Sequence, residues 1–134
     1  MFRRIPELLI DLRELGAKLA VASSGPRENV ALLIDVIGAG RAIDATVASE
    51  DVRQGKPHPE AFLTAAQRLR VAPARCAVVE DSVHGIEAAK RAGMLAVAVL
   101  TSTARQRLTA AGADLVVNEV GDLVPHLSWL RKQL

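Results

Sequence analysis

The chain has 134 residues, 50% of them apolar and 24% charged, and seventeen Lys and Arg against fifteen Asp and Glu leave a formal net charge of +2. That length supports one modest core, and no composition shift or Ser/Gly-rich linker marks a boundary, so residues 1–134 read as a single domain. With two Phe, one Trp and no Tyr there is neither a strong basic field nor a stacking platform for bases, which excludes nucleic acid as a partner.

Ile5, Leu8, Leu9, Leu12 and Leu15 recur at helical spacing, with Pro6 in the first turn and Gly16 where a left-handed cap is wanted. The spacing predicts an amphipathic helix. Residues 18–22, Lys-Leu-Ala-Val-Ala, form a short apolar run that ends in Ser23-Ser24-Gly25-Pro26, which suits a strand buried on both faces. A second helix presents Val30, Leu33, Ile34 and Ile37 on one side. The alternation continues with a strand over 45–48, a helix over 59–70, a strand over 76–79 and a helix over 83–92. A strand over 95–100, a helix near 103–111 and a strand over 114–117 follow, and a last helix carries Val120, Leu123, Leu127 and Leu130 on one side.

Strand and helix alternate with short connections throughout, and no internal repeat or low-complexity tract interrupts them. Parallel crossovers need long connections, and helices supply them while covering both apolar faces of a sheet. The expected architecture is a three-layer α/β fold, a Rossmann-like parallel sheet with helices on both faces. In such sheets ligands gather at the carboxyl ends of the strands. Ser23, Ser49, Lys56, Glu80, Asp81 and Thr101 all fall at or just beyond predicted strand ends, on one edge of the domain.

Glu80 and Asp81 directly follow a strand and precede a helix, so two carboxylates project at the mouth of the sheet. Mg²⁺ suits such oxygen ligands and keeps waters and substrate phosphate in its other positions. Equally, Asp81 or Ser82 caps the helix starting near Val83. Lys56 lies between Gly55 and Pro57, and two prolines stiffen the loop that presents it. About 4 Å from a phosphate oxygen its charge is worth roughly 4 kcal/mol at an effective dielectric of about 20, before desolvation is subtracted. A solvated surface lysine is the other reading. Ser23 and Ser24 either help backbone N–H groups hold an anion or cap the second helix. His58 and His84 are polar residues of a loop and a helix start, Gly85 allows close packing of helix on sheet, and Gly93 ends the helix. Cys76 reads as a buried structural thiol, and alone it forms no disulfide within the chain. No run reaches the ~18 apolar residues of a membrane span. Met1-Phe2-Arg3-Arg4 leads into Ile5-Pro6-Glu7 rather than an apolar signal segment, so no membrane partner and a cytoplasmic location are expected.

Four segments in this order are specific: LAVASSG (residues 19–25), GKPHPEAF (55–62), VVEDSVHGIEAAKRAGM (78–94) and AGADLVVNEVGDL (111–123). Together they resemble the haloacid dehalogenase superfamily of phosphatases and phosphomutases, most closely the subgroup of β-phosphoglucomutase and phosphoglycolate phosphatase. The resemblance runs from about Pro6 to the last helix. It implies that Ser23 and Lys56 bind phosphate, with Ser24 beside them, that Asp81 binds Mg²⁺, and that Glu80 assists it as in phosphomutase-like members. It also implies a substrate that is a small phosphorylated metabolite. In that family an earlier strand ends in Asp-x-Asp, whose first Asp attacks phosphorus and binds Mg²⁺ and whose second is the acid/base. No Asp-x-Asp occurs in these 134 residues. A helical cap that selects substrate in the family is missing as well.

The expectation is therefore a truncated hydrolase core, inactive by itself for want of the nucleophile. The alternative is a non-catalytic phosphate-binding or self-associating interaction protein, or a folded remnant with no ligand. The resemblance puts the missing strand between those at 19–23 and 76–79. Either these two close up and pair directly, or a second copy of the chain fills the slot and a homodimer forms.

Overall fold

A computed structural model describes residues 4–36 and 38–134. Ile37, counted above on the apolar side of the second helix, lies outside the described residues. Helix α1 (Ile5–Glu14) has proline in its first turn, and Gly16, at φ 77°, lets the chain reverse after it. Strand β1 (Ala20–Ala22), helix α2 (Arg27–Val36), strand β2 (Ala45–Val47) and a 3₁₀ turn (Ser49–Asp51) follow. Next come α3 (Glu60–Leu69), β3 (Ala77–Glu80), α4 (Val83–Arg91), β4 (Leu95–Val99), α5 (Arg105–Ala110) and β5 (Leu115–Val117). A 3₁₀ helix (Val120–His126), with Pro125 inside it, runs into α6 (Leu127–Gln133).

All strand pairings are parallel, and β4 shows why the fold is layered. Its residues alternate between faces, as successive strand residues must. Ala96 and Ala98 enter a cluster with Phe62 and Ala66 of α3, Ile86 and Ala89 of α4, and Leu108 of α5. Val97 and Val99 enter the opposite cluster with Leu8 of α1 and with Leu123, Leu127 and Leu130. Helices thus cover both faces, as the alternation of elements implied.

The five strands do not make one sheet. They form two, β1-β2 and β3-β4-β5, and no ladder joins β1 to β3 among the described residues. Direct closure of these strands, one of the two expected outcomes, is corrected. The physical reason lies in α3, which packs on the first sheet and meets the core of the second beside α4. Its Ala61 and Ala65 pack with Val47 and against Ala20 and Ala22, while its Phe62 and Ala66 pack with Val78 and α4. One helix therefore joins the two cores that lie beneath the sheets.

Backbone alternation shows what the gap exposes. Ser23 N–H donates to Val47 and Leu19 C=O accepts from Asp44 and Ala45, so the odd residues of β1 face β2 and Ala20 and Ala22 face away. Leu95 N–H donates to Cys76 C=O, so Ala77 and Val79 of β3 likewise face the open edge. Val79 is 42% exposed although it sits in a strand flanked by core. Strand β1 is half-buried along its length, which corrects the expectation of a strand covered on both faces. On α2 only Val30 is buried; Leu33, expected on the covered side, is exposed, as are Leu32 and Val36. Leu15, counted on the apolar side of α1, is also exposed. No helix among the described residues is long and apolar enough to cross a membrane.

Candidate phosphate and metal site

Lys56 is the centre of the arrangement. Its Nζ donates to Ala22 C=O at 3.3 Å and to Glu80 Oε2 at 3.0 Å, and it stands 4.9 Å from the centroid of the Phe62 ring. Ala22 ends β1 and Glu80 ends β3, so a single ammonium links the carboxyl ends of two sheets that share no ladder among the described residues. The Lys56 and Glu80 side chains are only 12% and 14% exposed, which rules out the solvated-lysine reading. At that burial neither charge is comfortable without the other.

The loop that delivers Lys56 is laced from several sides. Glu60, the first residue of α3, accepts from Arg53 N–H at 2.9 Å and Gln54 N–H at 3.0 Å. His58 N–H donates to Gly55 C=O at 3.0 Å, and His58 Nδ1 accepts from Glu60 N–H at 3.1 Å. Arg91 of α4 donates to Pro57 C=O at 3.3 Å. The Lys56–Pro57 bond is cis. The Arg53 and Gln54 N–H groups, in that order, hold the Glu60 carboxyl below its ordinary range, because they bond the ionised form.

Glu80 is equally committed. Besides Lys56, its Oε1 accepts from Asp81 N–H at 3.2 Å and from Ser82 Oγ at 3.3 Å. It fits there because of Gly85: a Cβ at that position would lie 1.9 Å from Glu80 Cγ. Gly85 therefore makes room for a carboxylate side chain, a more specific role than the helix-on-sheet packing expected from the sequence. Of the two candidate caps for α4, Ser82 takes the part, its Oγ accepting from Gly85 N–H at 3.0 Å. That leaves Asp81 exposed, its Oδ2 accepting from Thr101 Oγ1 at 3.2 Å.

Ser23 and Ser24 follow the Ala22 carbonyl that Lys56 touches. The Ser23 hydroxyl accepts from Gly25 N–H at 3.0 Å, a tight local turn, and so does not cap α2. Glu50 serves that helix end instead, accepting from Arg27 N–H at 2.9 Å. Ser24 is exposed just beyond. The structure thus brings Lys56 and Glu80 into contact, sets Asp81 beside them and Ser23 at the end of the neighbouring strand, and leaves Ser24 at the rim. Beside this cluster a cavity of about 660 Å³ opens at the ends of β3, β4 and β5, lined by Glu80, Asp81, Leu100, Thr101, Asn118 and Glu119 among others. That volume lies within the usual range of small-molecule sites.

For a divalent cation the donors are few. Among the described residues no three His, Cys, Asp or Glu side chains converge on a ligand cage. Asp81 has free carboxylate lone pairs, whereas both oxygens of Glu80 already accept bonds. Such a set fits Mg²⁺ in the way this ion is commonly held, by one or two carboxylates with waters and a phosphate completing the octahedron. Cys76, expected to be buried, is only half-buried, which corrects that reading because its neighbours Arg75 and Ala77 lie at the surface. Its thiol donates to Ala72 C=O at 3.4 Å, and partial burial pushes it above the ordinary range.

The profile of haloacid dehalogenase-like hydrolases matches residues 1–93, more than half of the chain. The chain belongs to that family. Over 122 residues this haloacid dehalogenase-like chain is 36% identical to validoxylamine A 7'-phosphate phosphatase of Streptomyces hygroscopicus subsp. limoneus, covering 90% of the chain and 56% of the relative. It is 39% identical over 123 residues to β-phosphoglucomutase of Bacillus subtilis, covering 92% and 51%. Among solved structures, CbbY from Rhodobacter sphaeroides in complex with phosphate superposes with a TM-score of 0.81 at 30% identity, covering 91% of this chain and 55% of that one. The chain spans about half the length of the curated relatives it matches.

The residues at strand ends were visible in the sequence; the supports around them were not. Glu60 carried a usable signal, an acidic residue in a first helical turn just after Pro59, where carboxylates stabilise exposed N–H groups. Gly85 was visible as a glycine, but only the fold reveals that the Glu80 side chain takes its space.

Proposed function

We propose that these residues form the phosphate-facing and metal-facing half of a phosphoryl-transfer centre that acts on a small phosphorylated metabolite in the cytoplasm. The position of Lys56 carries the reading. Two of its three N–H donors are fixed on Ala22 and Glu80, and the third is left for a phosphate oxygen at the meeting point of two strand ends. Ser23 would add a hydroxyl from the β1 side, with Ser24 next to it. Asp81 would hold Mg²⁺ from the β3 side, and Glu80 would keep Lys56 aimed. Mg²⁺, when bound, supplies charge neutralisation at the phosphate. The relatives support this substrate class: one is named as a phosphatase of a phosphorylated compound, another as a phosphoglucomutase, and the CbbY structure is a phosphate complex.

The 134-residue polypeptide by itself is expected to turn over negligibly, because the Asp-x-Asp pair of the resembled family is not among its residues. Loss of an attacking residue costs on the order of 10⁶ in rate. Calorimetry with inorganic phosphate and Mg²⁺ should give binding that Lys56→Ala abolishes, while small phosphate monoesters are hydrolysed no faster than by Asp81→Ala. Turnover of about 1 to 10³ s⁻¹, the ordinary enzyme range, in the parent but not in that control would overturn the inactivity. No phosphate binding by the parent would overturn the site.

A second reading, an interaction protein that self-associates, is favoured by one observation: the open edges of β1 and β3, with Val79 exposed between them. Unpaired edges beside apolar side chains invite another chain. Sedimentation across a wide concentration range should then show a dimer that Val79→Lys weakens, and a monomer at every concentration would remove this reading.

A further inference from the structure

We propose that Glu60 is the positioning residue for Lys56, its carboxylate closing the loop that aims the ammonium. Only the functional consequence rests on the phosphate reading above; the positioning stands on geometry. Residues 53–60 form a loop whose two ends meet at one side chain. Glu60 Oε1 and Oε2 each accept from a different N–H at the loop's start, those of Arg53 and Gln54, at 2.9 and 3.0 Å. The same residue's N–H donates to His58 Nδ1 within the loop, and His58 N–H in turn bonds Gly55 C=O. Lys56 lies inside this closed circuit. Its ammonium must cross from the loop to Ala22 and Glu80, contacts at 3.3 and 3.0 Å that tolerate little displacement.

Three features make Glu60 the side chain that governs this. It is the first residue of α3, where the helix dipole favours a negative charge. Two successive N–H groups converge on one ionised carboxylate, and such charge-assisted bonds are about twice as strong as neutral ones. The remaining tie on the loop, Arg91 to Pro57 C=O at 3.3 Å, lies on the far side of Lys56 from Arg53 and Gln54 and cannot replace them. Without the carboxylate, the loop's first half loses its anchor while α3 and the core beneath it stay in place, since Phe62, Ala65 and Ala66 pack independently of residue 60.

The Phe62 ring provides a readout that needs no ligand. Lys56 Nζ stands 4.9 Å from its centroid, so the ring current shifts the Lys56 ε-CH₂ protons upfield. In Glu60→Ala, with the Val97 and Leu108 methyl resonances unchanged as proof of folding, these protons are expected to move to the ordinary lysine position. Affinity for inorganic phosphate with Mg²⁺ is expected to drop about tenfold, about 1.4 kcal/mol. Glu60→Gln, which keeps one acceptor oxygen, should fall between, and it decides the matter if the alanine variant does not fold. An unshifted Lys56 signal in the parent, or one that stays put in a folded Glu60 variant, overturns the proposal. A signal that moves in the variant while the parent binds no phosphate upholds the positioning and overturns the phosphate reading instead.

Discussion

Glu80 reaches Lys56 only because residue 85 has no side chain. Alanine there would put a carbon inside the Glu80 chain, so Glu80 must swing out and leave Lys56 with a buried, half-satisfied charge. Gly85→Ala is expected to destabilise the fold by about 1–3 kcal/mol and to weaken phosphate binding; urea unfolding and calorimetry check both, and a variant as stable as the parent contradicts the arrangement. Asp51 carries a different residue-scale consequence. Its carboxyl is held far below the ordinary carboxylate range, first by Ala48 N–H, then by Arg68 and Arg27. A depressed value means that the native state prefers the ionised form. The stabilisation is therefore fully present above the unfolded value of 3.8 and is lost as pH falls below it. Melting temperatures followed from about pH 5 down to pH 2 should fall less steeply for Asp51→Asn than for the parent; parallel curves would contradict this.

At the scale of elements, α5 and α2 differ sharply in what they contribute. Leu108 of α5 is fully buried in the cluster that joins α3, α4 and β4, whereas Leu32 of α2 is 62% exposed. Leu108→Ala should cost about 2–5 kcal/mol by leaving a cavity, while Leu32→Ala should stay within about 0.5 kcal/mol of the parent. Chemical denaturation distinguishes them, and equal costs would mean that α2 is covered. The sequence revealed the order of elements because each has its own apolar period, and β4 and α4 begin and end close to where that period does. It revealed Ser23, Glu80 and Asp81 as strand-end residues for the same reason, and Lys56 through the prolines of its loop. What it concealed joins residues far apart in the chain, Glu50 on the N–H of Arg27 and Asp51 between Arg27 and Arg68, or turns on the path of one side chain, Glu80 in the space of Gly85. Local periodicity encodes none of these meetings. The exposure of Leu33 was hidden likewise, because a pattern shows which residues could be covered and not whether anything covers them.

For the molecule as a whole, the decisive fact is that, among the described residues, the two sheets meet at one helix and share no ladder. Hydrogen exchange should be slowest in β4, which is paired on both sides, and fast at the edge-facing amides of Ala22 and Val79. Equal protection of β1 and β4 would show that the edge is occupied in solution. Because no ladder bond joins the sheets among the described residues, parting them like the leaves of a book bound along α3 would break no strand pairing, and Lys56 is the clasp across their free corners. Opening the book unclasps that amine and bares it to water. The rate at which a lysine-acylating reagent marks residue 56 would then gauge how often the leaves stand apart.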